Sequence, residues 1–201
     1  MDVADHGDLH WGDHAPVATP TPTPVSQLRP ERSRDRDPSL REVWTGIGGL
    51  TTVANIPVGA APNLTDTRPT FEAPTDWADN YGTRMRGYIT APVTGSYTFW
   101  IASDDNSELW LSVDSNPANK VRMASVSDWT GARQWDKFSS QKSPAITLTA
   151  GQRYYVEALQ KEGAGGDNLA VGWAKPGEST AAPSEVIPGS VLSPFSGTQS
   201  P

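Results

Sequence analysis

Ser103-Asp104-Asp105-Asn106-Ser107-Glu108-Leu109-Trp110-Leu111 is a strand that runs into two adjacent carboxylates and resumes at once as an apolar strand. Two anionic side chains side by side at a strand end repel one another unless a positive charge sits between or beside them. The pair therefore reads as half of a hard-cation site. A second loop is needed to complete it. Gly163-Ala164-Gly165-Gly166-Asp167-Asn168, a Gly-rich acidic turn feeding the strand Leu169-Ala170-Val171-Gly172-Trp173, is the candidate. Two such loops at one end of a sheet protein describe a metal-centred binding module better than an enzyme.

Upstream, Ser96-Tyr97-Thr98-Phe99-Trp100-Ile101-Ala102-Ser103 places Tyr97, Phe99 and Ile101 on one face and Thr98, Trp100 and Ala102 on the other, so this strand is covered on both sides. Arg84 to Thr90 precedes it and stops at Ala91-Pro92-Val93-Thr94-Gly95, where Pro ends the ladder and Gly permits positive φ. Downstream, Leu109, Leu111 and Val113 alternate with Trp110 and Ser112 until Asp114-Ser115-Asn116-Pro117 closes the strand. Further strands are expected at Lys120 to Ala124, Ala145 to Thr149, Arg153 to Lys161 and Leu169 to Ala174, with Ala150-Gly151-Gln152 as a hairpin-like turn between two of them. No segment carries the period-3.6 apolar stripe of a helix over three turns. The expected architecture is all-β, two packed antiparallel sheets forming a β-sandwich.

The chain of 201 residues has room for one domain of about 100 to 150 residues plus tails. It contains no Cys, which excludes a disulfide framework and thiolate chemistry without fixing the compartment. The net charge of −7, with no basic face between aromatic strands, argues against nucleic acid as a partner. No apolar window is long enough for membrane insertion, and Met1-Asp2-Val3-Ala4-Asp5-His6 has neither the basic nor the apolar region of a signal peptide.

Residues 1–40 are set apart as a disordered acidic, His-bearing tail and linker, and residues 41–201 as the sandwich with a C-terminal extension. Thr19-Pro20-Thr21-Pro22-Thr23-Pro24 favours extended, hydrated backbone and acts as a spacer. Leu28 to Leu40 mixes Arg and acidic residues without apolar periodicity, which reads as a solvated linker. His6, His10 and His14 share the spacing of one helix face. Gly7 and Gly12 weaken such a helix, so a disordered tail is preferred to a transition-metal site.

From Val43 to Pro176 the chain resembles the PA14 family, the β-sandwich module of adhesins, lectins, toxins and glycosidases. The resemblance is carried, in order, by Trp44-Thr45-Gly46-Ile47-Gly48-Gly49-Leu50, Gly95-Ser96-Tyr97-Thr98-Phe99, Ser103 to Leu111, Leu148 to Tyr155, and Glu162-Gly163-Ala164-Gly165-Gly166-Asp167-Asn168-Leu169-Ala170-Val171-Gly172-Trp173. In the sugar-binding branch of that family, adjacent aspartates joined by a cis peptide hold a calcium ion that coordinates glycan hydroxyls. The resemblance thus implies Ca2+ as cofactor, held by Asp104 and Asp105, by the side-chain oxygen of Asp167 or Asn168, and by carbonyls around Leu169. The competing role for Asp104, Asn106 and Asp167 is to cap turns through their own backbone.

A calcium shell left incomplete by the protein takes water or ligand, and vicinal sugar hydroxyls replace two waters at once. Trp129, in the turn-rich polar segment Ser127 to Trp135, offers a ring to the apolar face of a sugar, with Gln134 beside it. The expected function is a calcium-dependent lectin or adhesin module. By family resemblance it is extracellular or on the cell surface, part of a larger multidomain protein, and binds glycans or cell-surface polysaccharide. The alternative is a non-binding structural spacer of a larger adhesin or enzyme. An enzyme is not expected: adjacent carboxylates on one turn suit shared cation ligation rather than glycoside hydrolysis, and every His lies in the tail.

Overall fold

The computed structural model describes residues 39–49 and 52–195. The tail histidines, the Pro-Thr stretch and most of the mixed-charge linker lie outside the described residues. Eleven strands are present among them: β1 Ser39–Thr45, β2 Leu64–Arg68, β3 Tyr81–Thr90, β4 Gly95–Asp104, β5 Asn106–Ser112, β6 Lys120–Val126, β7 Ile146–Leu148, β8 Arg153–Lys161, β9 Asn168–Ala174, β10 Glu185–Val186 and β11 Leu192–Pro194. They form two antiparallel sheets. The larger runs β2-β1-β3-β8-β5-β6, with β11 also paired to β3; the smaller runs β10-β9-β4-β7. Among the described residues no helix is long and apolar enough to cross a membrane.

The sheets close on the alternation read from the sequence. Tyr97, Phe99 and Ile101 of β4 and Leu169, Val171 and Trp173 of β9 meet Met85 and Ile89 of β3, Leu109 and Leu111 of β5, and Val156 and Ala158 of β8 in one buried cluster. Trp173 packs its ring against Tyr97 and Phe99, at centroid distances of 5.4 and 6.2 Å. The other side of β4 is also covered. Trp100 is buried, its backbone bridges to Lys142, and the Ser143 hydroxyl accepts from Phe99 N–H at 2.9 Å.

Two features differ from the sequence reading. Strand β1 begins at Ser39, two residues before the expected boundary at Arg41, and the charged residues at its centre are paired inside the sheet. The Glu42 carboxylate accepts from Arg84 Nε at 2.6 Å and from Arg86 Nη2 at 2.8 Å, all three side chains being buried. Arg41 Nη1 donates to Asp66 at 2.9 Å. Ala150-Gly151-Gln152 is not a hairpin turn: β7 pairs with β4 in the small sheet and β8 with β3 and β5 in the large one, so these residues carry the chain between sheets.

A second crossing positions the site. Strand β4 ends at Asp104 and β5 starts at Asn106, so the chain leaves the small sheet and enters the large one within a single residue, across a cis Asp104-Asp105 peptide. Ser103 Oγ ties the crossing together by donating to the Asp105 carbonyl at 2.6 Å beside the Ser107 hydroxyl at 2.7 Å.

Trp173 is the largest side chain in the buried cluster. Trp173→Ala is expected to lower stability by about 3 to 5 kcal/mol through lost burial and an unfilled cavity, read as a reduced urea midpoint. A midpoint unchanged from the parent would show that the core does not depend on this ring.

Candidate functional site

Three loops meet where β4 passes into β5. The first is the crossing itself. The second is residues 162–168, which leads into β9, whose first residue Asn168 lies opposite Asp104 at the end of β4. The third, between β2 and β3, lies over the second: Asp76 N–H donates to the Asp167 carbonyl at 3.0 Å, and Asn80 N–H to the Gly163 carbonyl at 2.6 Å. Gly166 permits this approach. A methyl group there would stand 3.3 Å from Asp76 Oδ1 and 3.7 Å from Asp104 Oδ2, between the two carboxylates.

The carboxylates converge. Asp104, Asp105 and Glu162 each direct an oxygen into a group in which all lie within 4.8 Å of one another. Glu162 is fully buried, and its Oε1 has no hydrogen-bond partner. Asp105 Oδ2 accepts from Gly163 N–H at 2.9 Å, which locks the first loop to the second. Asp167 is buried as well. Its Oδ2 accepts from Trp77 N–H at 2.7 Å and from Ala78 N–H at 2.9 Å, while its Oδ1 is unpartnered. Asn168 donates through Nδ2 to the Thr130 carbonyl at 2.9 Å and leaves its buried Oδ1 unpartnered. The Leu169 side chain lies in the core, and its carbonyl accepts from Ala73 N–H at 2.9 Å.

The segment bearing Trp129 is pinned to the same end. Thr130 N–H donates to the Ser103 carbonyl at 2.6 Å and Thr130 Oγ1 accepts from Ser103 N–H at 2.9 Å, one residue from Asp104. Trp129 itself is 48% exposed, with the Lys137 ammonium 3.3 Å from its ring centroid. Gln134 Oε1 accepts from Gly131 N–H at 3.0 Å and closes its own turn.

Sequence reasoning missed Glu162, Asp76 and Thr130. Glu162 opens the Gly-rich loop and stands two residues from Gln160 on β8. Its signal was a third acidic side chain directly before Gly163 in a loop already suspected of binding a cation.

The electrostatics follow from this crowding. Burial, then the charge of Asp105, raises the Asp104 carboxyl to about 6. Burial, then the charges of Asp105, Asp104 and Asp167, raises Glu162 to about 7. Lys161 is buried beside them and donates to the Glu162 carbonyl. Burial lowers its pKa, opposed by the charges of Glu162 and Asp105. Clustered carboxylates with orphaned buried oxygens are groups that could hold a hard cation.

A family model described as "PA14 domain" matches residues 65–186. Mouse N-acetyl-beta-glucosaminyl-glycoprotein 4-beta-N-acetylgalactosaminyltransferase 1 is 39% identical over 139 residues, covering 66% of this chain and 13% of that protein. Fibrocystin of Canis lupus familiaris is 38% identical over 82 residues, covering 37% of this chain and 2% of fibrocystin. The chain therefore spans a small part of these relatives. Among solved structures, a PA14 sugar-binding domain from an RTX adhesin superposes with a TM-score of 0.60 at 14% identity, covering 79% of this chain and 99% of that one. The epithelial adhesin 6 A domain of Candida glabrata, in complex with Galb1-3GlcNAc, superposes with a TM-score of 0.55 at 13% identity over 78% of this chain and 87% of that one. At these identities the structural likeness shows the fold.

Both raised carboxyls bind protons more tightly when folded than when unfolded. Stability should fall as pH rises from about 4, where unfolded carboxyls titrate, to the folded value near 7. The cation-free protein is expected to melt at higher temperature at about pH 5 than at about pH 7.5, and Glu162→Gln to flatten that slope. A melting temperature that rises with pH across the window would show that these carboxyls are not held under mutual repulsion.

Proposed function

The chain belongs to the PA14 domain family, and from that premise we propose that it is a calcium-dependent carbohydrate-binding module of an extracellular or cell-surface protein. The observation that carries this reading is the gathering of Asp104, Asp105 and Glu162 oxygens within 4.8 Å, a group that does not include Asp167, together with the unpartnered buried oxygen of Glu162. Solved neighbours support it: one is described as a sugar-binding domain, and another is in complex with Galb1-3GlcNAc.

Bound there, calcium supplies positive charge and open positions in a shell of six to eight oxygens, which suit the paired hydroxyls of a sugar ring. Asp104 and Asp105 provide two anionic ligands from one crossing and Glu162 a third from β8's end. Asp167 or Asn168 is the side-chain candidate of the second loop. Gly163 N–H holds the Asp105 carboxylate in place, and Thr130 fixes the Trp129 loop against the end of β4. The exposed ring of Trp129 gives an apolar surface for sugar C–H groups. Gln134 shapes the same loop.

The arrangement favours binding over hydrolysis. Three carboxylates that each turn an oxygen to one point, two of them on adjacent residues, suit shared ligation of a cation better than a pair flanking a scissile bond. The transferase among the relatives is matched over 13% of its length, which fits a module within a larger protein rather than its reaction centre.

A glycan array run with calcium and repeated with chelator tests the reading. Binding that requires calcium is the expected result; calcium binding with no glycan captured would favour a structural spacer. Asp104→Asn and Asp105→Asn are each expected to abolish both the calcium-induced rise in melting temperature and glycan capture, with the sheet signal in circular dichroism retained. Calcium-dependent capture surviving in both variants would overturn the site. Trp129→Ala should weaken glycan binding roughly fivefold, about 1 kcal/mol, without altering the calcium-induced melting shift.

A further inference from the structure

Resting on that carbohydrate reading, we infer that the site selects uncharged glycans and rejects those carrying a carboxylate or sulfate near the bound sugar. Three carboxylates, Asp104, Asp105 and Glu162, exceed the charge of one divalent cation before any ligand arrives. Glu162 Oε1 is buried with no N–H to satisfy it, and so is Oδ1 of Asp167, whose charge also acts on both Asp104 and Glu162.

The surroundings add to the excess. Asp76 Oδ1 and Asp104 Oδ2 face the same point at Gly166, Asp79 Oδ1 accepts from Gly165 N–H at 3.0 Å, and the exposed Asp128 acts on the Asp104 carboxyl from the Trp129 loop. Two ammonium groups are nearby, and both are engaged. Lys161 is buried against the Glu162 carbonyl, and Lys137 sits on the Trp129 ring and donates to the Trp129 carbonyl at 2.7 Å. The Arg41 guanidinium, stacked on Trp77 and paired with Asp66, is buried and closed to a ligand, so an anionic sugar would approach an over-neutralised cation through a field of like charge. Hydroxyls present only dipoles and escape that penalty. Like charges at contact distance repel one another more strongly in a partly desolvated site than in water.

The test compares one neutral disaccharide that the array identifies with the same disaccharide bearing a uronic acid or sulfate, by calorimetry at saturating calcium. The neutral form is expected to bind roughly tenfold or more tightly at low ionic strength, and the gap to shrink as salt rises above about 0.15 M. Asp128→Lys, at a residue outside the proposed ligand set, should narrow the gap by strengthening the anionic form while leaving the neutral affinity unchanged. Equal or tighter binding of the anionic form by the parent protein, or a gap indifferent to both salt and Asp128→Lys, would overturn the inference while leaving the carbohydrate reading intact. Failure of every glycan to bind with calcium present would overturn both.

Discussion

Repulsion among carboxylates that the fold forces together is the constraint around which this end of the molecule is built. The chain has one residue in which to leave β4 and enter β5, and it spends that residue and its neighbour on two aspartates. Returning from the large sheet, β8 then delivers Glu162 to the same place. Backbone amides absorb part of the charge: Gly163 N–H serves Asp105, while Trp77 and Ala78 N–H serve Asp167. The remainder falls on oxygens with no donor at all. Burial of unpaired anionic groups opposes folding, and that cost is what the proposed cation would relieve.

The two sheets were legible in the chain because the alternation of apolar residues is local and strict. Tyr97, Phe99 and Ile101, or Leu109 and Leu111, fall on one face by position alone. The motif order Gly95 to Phe99, Ser103 to Leu111 and Glu162 to Trp173 carried the family as well. What stayed hidden was non-local. Glu42, Arg84 and Arg86 look like solvent-facing charges along the sequence and become a buried cluster only when β1 lies beside β3. The paths through Gly151 and Asp105 resemble ordinary turns until the partners of β7, β8, β4 and β5 are known. Glu162 was visible as a residue and invisible as a ligand, since its proximity to Asp104 and Asp105 depends on two strands from opposite sheets ending at one level.

Asp167 is half engaged. One oxygen caps the Trp77-Ala78 turn, as short acidic residues commonly do, and the other is buried without a partner. Thr130 has a double position, bonded to Ser103 through both backbone and hydroxyl and to Asn168 through its carbonyl. Movement of the Trp129 loop is thereby coupled to the strand end that carries Asp104.

The edge of β3 has a mechanical meaning. Leu40 of β1 pairs with Arg86, and Pro194 of β11 pairs with the next residue, Gly87, where a methyl group would stand only 2.6 Å from the Ser193 carbonyl. The first and last strands thus abut along one side of the same strand, and the chain enters and leaves the sandwich at neighbouring points. Were the chain to continue at both points into a longer protein, such a module would stand as a side branch rather than as a bead in line. Tension applied through both ends would peel β1 and β11 from β3 at the Arg86-Gly87 step, and the load would pass between those two points without crossing the β4–β5 junction, leaving the carboxylate end outside the path of the force.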